Sequence, residues 1–483
     1  MTTPAQLSSY VDGSWQGGAA TFDDLNPAHP SEVVADVHAA DARLAADAIL
    51  AARSAFPAWR DTPAPARGEI LRRAADLLEQ RADDIGRDLA REEGKTLAEG
   101  VGETRRAVAI FRYYAGQTLE PDGETYPSVS AATFLYARRE PVGVVLAITP
   151  WNFPIALPAW KPAPALAYGN CVVWKPAELV PLTSVHLAQA LADAGLPHGV
   201  LNVVLGRSSE IGETLLAGPV DALTFTGSNE VGRRLQLQAI ALGAKVQLEL
   251  GGKNPAVVLA DADLDVAAEH LARGAFLSAG QKCTATSRVI VERAVFEQVA
   301  EGLVERATGW RLGDPLDPET KVGPLASAAQ LERVTGFLDL ARREGGEVLA
   351  GGEAPANDSG GYYVRPTVLA GLGPESAVVR DEIFGPVAVL LPVDSYEEAV
   401  ALANDTPFGL SAAVFTRDLG RALRFAKDVR AGVVKINQES AGLEFHVPFG
   451  GTKASSSGSR EQGRAAREFF TEWKTVYADL PEA

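Results

Sequence analysis

Two cysteines, Cys171 and Cys283, are the only thiols in the 483 residues, and their surroundings differ. Cys171 begins the apolar run Cys171-Val172-Val173-Trp174, where a thiol packs as a small hydrophobe. Cys283 lies in Ser278-Ala279-Gly280-Gln281-Lys282-Cys283-Thr284-Ala285, a small and polar stretch in which Gly280 permits a close approach. A thiolate in that setting is a nucleophile able to bond an electrophilic carbon. A second candidate is Glu249. In Lys245-Val246-Gln247-Leu248-Glu249-Leu250, alternation puts Val246, Leu248 and Leu250 on one face and Glu249 on the other, at a strand end over a cleft. Taken alone, Glu249 is better explained as a carboxylate that caps the next helix or pairs with a lysine. The third is the G-x-x-x-x-G of Gly227 to Gly232, which opens a helix straight after a strand, where free N–H groups and the helix dipole can hold a pyrophosphate. It is not the G-x-G-x-x-G fingerprint, and a tight turn with no ligand explains it equally well. Lys175 and Glu178, at a neighbouring strand end, favour the ligand because such a pair can bond ribose hydroxyls. Glu178 also disfavours, without forbidding, a 2′-phosphate on that ribose.

These groups must be positioned by a particular kind of sheet. Short continuous apolar runs cover 142–148, 171–174, 201–205, 222–226 and 245–250, each with the texture of a buried parallel strand, and helix-like segments such as 184–194 and 209–217 lie between them. The expected unit is βαβαβ with right-handed crossovers, a doubly wound α/β sheet whose ligands collect beyond the carboxyl ends of the strands. Thr149-Pro150-Trp151-Asn152-Phe153-Pro154 follows the first run, Lys175-Pro176-Ala177-Glu178 the second, and Gly251-Gly252-Lys253 the last. Two long amphipathic patterns, 39–59 and 67–94, are expected to pack on the sheet and carry no chemistry. Cys283 falls between a helical segment and an apparent strand at 288–291.

Composition excludes several classes. The length calls for two or three domains, and 46% hydrophobic with 22% charged residues is the balance of a soluble enzyme. A formal charge of −17 repels phosphate backbones and anionic membranes, so nucleic acid is not an expected partner. No apolar stretch approaches the roughly 18 residues of a membrane span. Residues 1–24 hold no Lys or Arg, against a signal or transit peptide. Two isolated cysteines and six histidines, with no C-x-x-C or H-x-x-x-H spacing, predict no disulfide framework and no metal centre. A reducing, cytoplasmic setting is expected.

The motifs, taken in order, resemble the aldehyde dehydrogenase family over nearly the whole chain: the Thr149 to Pro154 stretch, Lys175-Pro176-Ala177-Glu178, Phe225-Thr226-Gly227-Ser228, Glu249-Leu250-Gly251-Gly252-Lys253, Gly280-Gln281-Lys282-Cys283, Glu382-Ile383-Phe384-Gly385-Pro386 and Pro448-Phe449-Gly450-Gly451. The resemblance implies that Cys283 attacks the aldehyde and that the Asn152 side-chain amide and the Cys283 backbone N–H stabilise the oxyanion. It implies that Glu249 activates the water that hydrolyses the thioester, giving free acid rather than a CoA ester. For the cofactor, NAD or NADP, it implies Lys175 and Glu178 at the adenosine ribose, Ser228 at the pyrophosphate, Glu382 at the nicotinamide ribose and Phe384 beside the ring. Ile148, Trp151, Gly212, Phe225, Gly227, Val231 and Leu250 complete the implied cofactor set. The implied fold is a Rossmann-type cofactor domain (1–119 and 141–250), an α/β catalytic domain (251–438) and a small β oligomerisation arm with tail (120–140 and 455–483). A homodimer or homotetramer follows, and alternation at 131–139 fits an exposed strand that pairs with another subunit.

Residues 160–170, 440–451 and 455–457 are similar to the α-ketoglutarate semialdehyde (2,5-dioxopentanoate) dehydrogenases. Bacterial succinic semialdehyde dehydrogenases often place an arginine eight residues past the oxyanion asparagine, where this chain has Trp160. That departure counts against succinic semialdehyde and leaves the partner of a substrate carboxylate open, Lys161 and Arg288 both being candidates for purely structural roles. Broad-specificity and glutaric semialdehyde oxidation remain alternatives. Outside the family, two rivals are a cysteine hydrolase using Cys283 with His446 as base and a cofactor-binding protein without catalysis.

Overall fold

The computed structural model describes residues 4–479; residues 1–3 of the expected cofactor domain and 480–483 of the expected tail lie outside it. The strands Val144–Ile148, Cys171–Lys175, Leu201–Val203, Ala222–Thr226 and Lys245–Glu249 are buried over almost their whole lengths. A strand covered on both faces has no solvent side, which is why these segments show continuous apolar runs instead of alternation. They pair in parallel, Lys245–Glu249 beside Ala222–Thr226, then Val144–Ile148, Cys171–Lys175 and Leu201–Val203. The chain winds outward from the first strand in one direction and returns for the last two. The reversal between Val144–Ile148 and Ala222–Thr226 is the switch point at which open α/β sheets bind ligands.

Two additions extend this sheet to eight strands. The hairpin of Ser9–Val11 and Ser14–Gln16 joins antiparallel at Leu201–Val203, and Ser456–Ser457 joins antiparallel at Lys245–Glu249. The segment from Ser455, expected with the arm, therefore first runs along the edge of the cofactor-type sheet. Ser455 O accepts from Leu250 N and Ser455 Oγ donates to Gly251 O, both at 2.8 Å.

A second sheet of seven strands holds Asn254–Val258 and Thr286–Glu292 at its centre, with the parallel strands Thr367–Ala370, Val387–Val393, Ser411–Phe415 and Val433–Ile436 and one antiparallel edge, Glu347–Ala350. Separate apolar clusters cover its two faces, one around Leu338, Leu369 and Val389 and the other around Phe276, Leu303 and Leu390. The strand expected at 288–291 is the middle of Thr286–Glu292.

The arm is a three-stranded antiparallel sheet in which Thr133–Pro141 is flanked by Gly123–Tyr126 and Thr471–Asp479. The strand expected to be open for pairing is therefore the central one. Its alternation reflects two partly exposed faces, and its backbone groups are taken on both sides. Thr471–Asp479 is the long edge strand.

The helical pattern at 39–59 is the helix Ala42–Asp61, and that at 67–94 is two helices, Ala64–Gln80 and Ala82–Glu93. A further helix, Leu97–Gln117, escaped the periodicity because Gly100 and Gly102 interrupt its first turns. Gly100 is there because its backbone packs on Gly86, whose carbonyl oxygen would lie 2.5 Å from a Cβ. Its start is fixed by a capping box: Thr96 Oγ1 accepts from Glu99 N, and the Glu99 carboxylate accepts from Thr96 N.

Candidate active site

Cys283 follows a turn in which three residues, Ser278, Ala279 and Gly280, have φ of 54°, 50° and 68°. Left-handed backbone costs a non-glycine residue about 1–2 kcal/mol, so the turn must be held from outside. Glu99 Oε1 holds it, accepting from Ser278 N at 2.8 Å and Ser278 Oγ at 2.9 Å. Gly280 is required by contact as well as by φ, since a Cβ there would lie 2.1 Å from Gly385 O. Beyond the turn, Asn254 Nδ2 donates to Cys283 O at 2.8 Å and to Ala285 O at 2.9 Å. Cys283 is thereby clamped on both sides.

Asn152 comes from the loop after Val144–Ile148 and is buried. Its Nδ2 donates to Gln281 O at 2.9 Å, which brings the amide to the backbone next to Cys283 and leaves the second N–H of that amide free for another acceptor. Lys95 Nζ donates to Asn152 O and, at 2.7 Å, to Glu103 Oε2, and lies 3.7 Å over the Phe153 ring. Glu103 Oε1 in turn accepts from Ile155 N and Ala156 N at 3.1 Å each. Lys95, Glu99 and Glu103 are thus positioning residues that sequence reasoning missed. The T-x-x-E spacing of Thr96 and Glu99 was the available signal for the helix that carries two of them.

Glu249 ends its strand with a side chain that is 2% exposed. Neither a helix cap nor a lysine pair accounts for it: Oε2 accepts from Ser456 Oγ at 2.6 Å, and Oε1 is buried with no hydrogen-bond partner among the described residues. The neighbouring lysine, Lys161, is instead bound to Glu461 Oε1 at 2.5 Å and Thr224 Oγ1 at 2.8 Å. Burial, reinforced by the Glu461 charge, raises the Glu249 carboxyl well above its ordinary range, while the Ser456 hydrogen bond opposes the shift. Burial likewise pushes the Cys283 thiol up to about 12, with the charges of Glu382 and Glu249 adding to it.

Cys283 stands where two cavities meet, of about 220 and 250 Å³. The smaller is bordered by Trp151, Gly227, Ser228, Leu250, Glu382 and Phe384, six of the residues expected at the cofactor, together with Asn152. The larger is bordered by Phe153, Leu157, Trp160 and Leu443 and by the cations Lys95, Arg106 and Lys282. Glu249 borders neither. A bigger cavity of about 780 Å³, under the arm against Arg67, Glu120 and Arg139, contains none of these groups.

The remaining expected residues sit along the same strand ends. Ile148 is the last residue of its strand, and Phe225 lies beneath the loop, its ring 2.5 Å from where a Cβ on Gly227 would be. Ser228 is the N-cap of helix Asn229–Ala241, its Oγ accepting from Val231 N at 3.4 Å. Lys175 Nζ is 3.6 Å from Glu178 Oε1, which also accepts from Ser208 N at 2.6 Å. Gly212 lies farther out, in helix Ser208–Ala217, where a Cβ would meet nothing within 4 Å. Gly252 N donates to Glu382 Oε1 at 3.0 Å, and Phe384, at φ 62°, meets Trp151 edge-on with ring centres 5.4 Å apart.

Residues 15–476 match the model of the aldehyde dehydrogenase family. The chain belongs to that family. It is 46% identical to an alpha-ketoglutaric semialdehyde dehydrogenase of Bacillus subtilis, with 97% of each chain covered, and 44% identical to an alpha-ketoglutarate semialdehyde dehydrogenase of Haloferax volcanii, with 99% of each covered. Among solved structures it superposes with a TM-score of 0.95 on a Staphylococcus aureus betaine aldehyde dehydrogenase in complex with NAD+, at 34% identity over 99% of this chain and 95% of that one. The expected family and α/β fold are those found.

Family membership removes the cysteine-hydrolase rival, and the geometry agrees. His446 is a half-exposed loop residue 3.9 Å from Glu444 and borders neither cavity at Cys283. Arg288 donates to the carbonyls of Lys253, Leu402 and Ala403, so it and Lys161 are both structural. Cys171 is fully buried within its strand. Among the described residues, no helix is long and apolar enough to cross a membrane.

Proposed function

We propose that this aldehyde dehydrogenase oxidises a semialdehyde with a distal carboxylate, 2,5-dioxopentanoate foremost, to the free acid with NAD(P)+. The observation that carries the reading is the place of Cys283 at the junction of two cavities, one lined by the expected cofactor residues and the other by apolar side chains and cations. The names of the Bacillus and Haloferax relatives point to the same substrate.

The residues fit a dinucleotide. Thr226 Oγ1, at the border of the smaller cavity, is buried without a partner among the described residues, and Ser228 caps a helix whose dipole favours a pyrophosphate. Glycine at 227 and 251 keeps the cradle open, since a Cβ on Gly251 would lie 2.4 Å from Glu382 Oε2. Lys175 and Glu178 are placed for ribose hydroxyls, with Ile148, Gly212, Phe225 and Val231 around them, and Glu382 and Phe384 for the nicotinamide end. The carboxylate of Glu178 weighs against a 2′-phosphate.

In the reaction, Cys283 Sγ loses its proton to solvent water and attacks the aldehyde carbon, the carbonyl π pair moving to the oxygen to give a thiohemiacetal oxyanion. Asn152 Nδ2, through its free N–H, and the Cys283 backbone N–H stabilise the oxyanion, at about 3 kcal/mol per donor. Bound NAD(P)+ supplies the hydride acceptor. The resulting thioester on Cys283 is hydrolysed by a water whose proton Glu249 Oε1 accepts, and the free thiol returns.

Exposed Phe134, Tyr126, Trp473 and Tyr477 on the arm, with the open edge of Thr471–Asp479, support assembly as a homodimer or homotetramer. The two free cysteines support a reducing, cytoplasmic setting.

The test is reduced-cofactor formation at 340 nm with NAD+ and NADP+ against 2,5-dioxopentanoate, succinic semialdehyde, glutaric semialdehyde and pentanal. The highest kcat/KM is expected for 2,5-dioxopentanoate. Equal activity on pentanal would discard the substrate and keep the chemistry, whereas no reduction with any pair would remove both.

A further inference from the structure

Three cations border the cavity on the substrate side of Cys283, and two of them are already engaged. Lys95 is held by Glu103 and by the carbonyl of Asn152, and Lys282 Nζ, a point donor without a planar fork, gives one of its three N–H groups to Arg273 O at 2.9 Å. The carboxylates at the same wall are engaged as well. Glu103 receives Lys95 and two backbone N–H groups, Glu99 receives Ser278 and Thr96, and Glu439 is ion-paired with Arg273 at 3.7 Å, its Oε2 accepting no hydrogen bond among the described residues.

Arg106 is different. It sits on helix Leu97–Gln117, half-buried, and among the described residues its guanidinium makes one hydrogen bond, from Nη2 to Leu443 O, and no ion pair. A guanidinium has five N–H groups in a planar fork, so most of its donors are unspent, and the fork matches a carboxylate two bonds at a time. Burial lowers its pKa, and the charges of Glu444 and Glu103 offset this only from a distance. Of the rest of the wall, Phe153, Leu157 and Leu443 are apolar, and Trp160 adds one neutral indole N–H that is buried without a partner among the described residues, so Arg106 is the one unpaired guanidinium there that attracts an anion. Lys161 and Arg288, the cations considered from sequence, are spent on Glu461 and on backbone carbonyls.

We infer that Arg106 binds the distal carboxylate of the substrate and sets the preference for carboxyl-terminated over neutral aldehydes. The inference rests on the proposal that Cys283 oxidises such a semialdehyde. The contact with Leu443 also fixes the loop at 441–447 against the helix, so the anion site and that loop form one wall.

The experiment compares the ratio of kcat/KM for 2,5-dioxopentanoate to that for pentanal in the wild type, Arg106→Met and Arg106→Lys, with the burst of reduced cofactor counting the competent sites. Arg106→Met should lower the ratio about 100-fold, mainly through KM for the anionic aldehyde, because removing one member of a desolvated charge pair leaves the other unpaired. Arg106→Lys should recover part of it, having charge without the fork. Glutarate, used as an inhibitor against pentanal, should weaken in parallel. An unchanged ratio in either variant's comparison with a wild type that does prefer the anion, or an equal loss on both aldehydes, overturns the role of Arg106 alone. A wild type with no preference overturns the substrate reading and this inference together.

Discussion

Replacing Gly280 by alanine adds one methyl group three residues before Cys283. Gly280 is at φ 68°, and its Cβ would stand 2.1 Å from Gly385 O, 2.4 Å from Gly385 C and 2.8 Å from Pro386 N. All three are backbone atoms, so no side chain can rotate away. The left-handed conformation alone costs alanine about 1–2 kcal/mol. Restoring an ordinary carbon–oxygen contact requires the two segments to part by about 1 Å. One of them leads into Gln281, whose carbonyl receives Asn152, and into Cys283; the other follows Glu382 and Phe384. A 1 Å misplacement of reacting groups costs about 100-fold in rate, so kcat should fall by about that factor and KM for the cofactor should rise. Steady-state kinetics with burst titration separates these effects from a loss of folded enzyme. Wild-type kcat in a fully folded Gly280→Ala enzyme would refute the claim that this turn positions the nucleophile.

Two further perturbations follow from the buried charges. Lys161→Met removes one member of an ion pair whose side chains are 0% and 2% exposed, so urea unfolding should show about 3–5 kcal/mol less stability. The same change leaves Glu249 and Glu461 facing each other without the lysine, which raises the Glu249 carboxyl further; its base form then appears only at higher pH, and the acid limb of kcat should move alkaline. An unmoved midpoint and an unmoved limb would contradict the pairing. In the cofactor-free enzyme, a Cys283 thiol raised to about 12 is mostly protonated near neutrality, so alkylation by iodoacetamide should speed up about tenfold per unit from about pH 6 to 9. A rate that levels off below about pH 8 would mean that a thiolate is already present.

The first parallel sheet was legible because its strands are buried on both faces and leave continuous apolar runs: 222–226 is the strand Ala222–Thr226 itself. Cys283 stood out by its polar neighbours and Glu249 by its parity against Val246 and Leu248, although the cleft expected over Glu249 is neither of the cavities that meet at Cys283. What escaped was whatever depends on distant partners. Helix Leu97–Gln117 was hidden by glycines that serve packing against Gly86, and with it went Glu99, Glu103 and Arg106. Ser456 gives no local sign that it will cross to Glu249, because that contact joins residues 207 apart in sequence. The strand 133–141 showed its two-faced alternation but not its neighbours, so its central place in the arm could not be read from pattern alone.

The central claim is a covalent thioester on Cys283 that Glu249 releases, and the direct measurement is mass spectrometry of Glu249→Gln enzyme quenched after mixing with NAD(P)+ and 2,5-dioxopentanoate. One burst of reduced cofactor per site is expected, then a stall, with the acyl group on the peptide carrying Cys283 and absent from Cys283→Ala enzyme. Steady turnover in Glu249→Gln at the wild-type rate, or a burst with no acyl mass on that peptide, would contradict it.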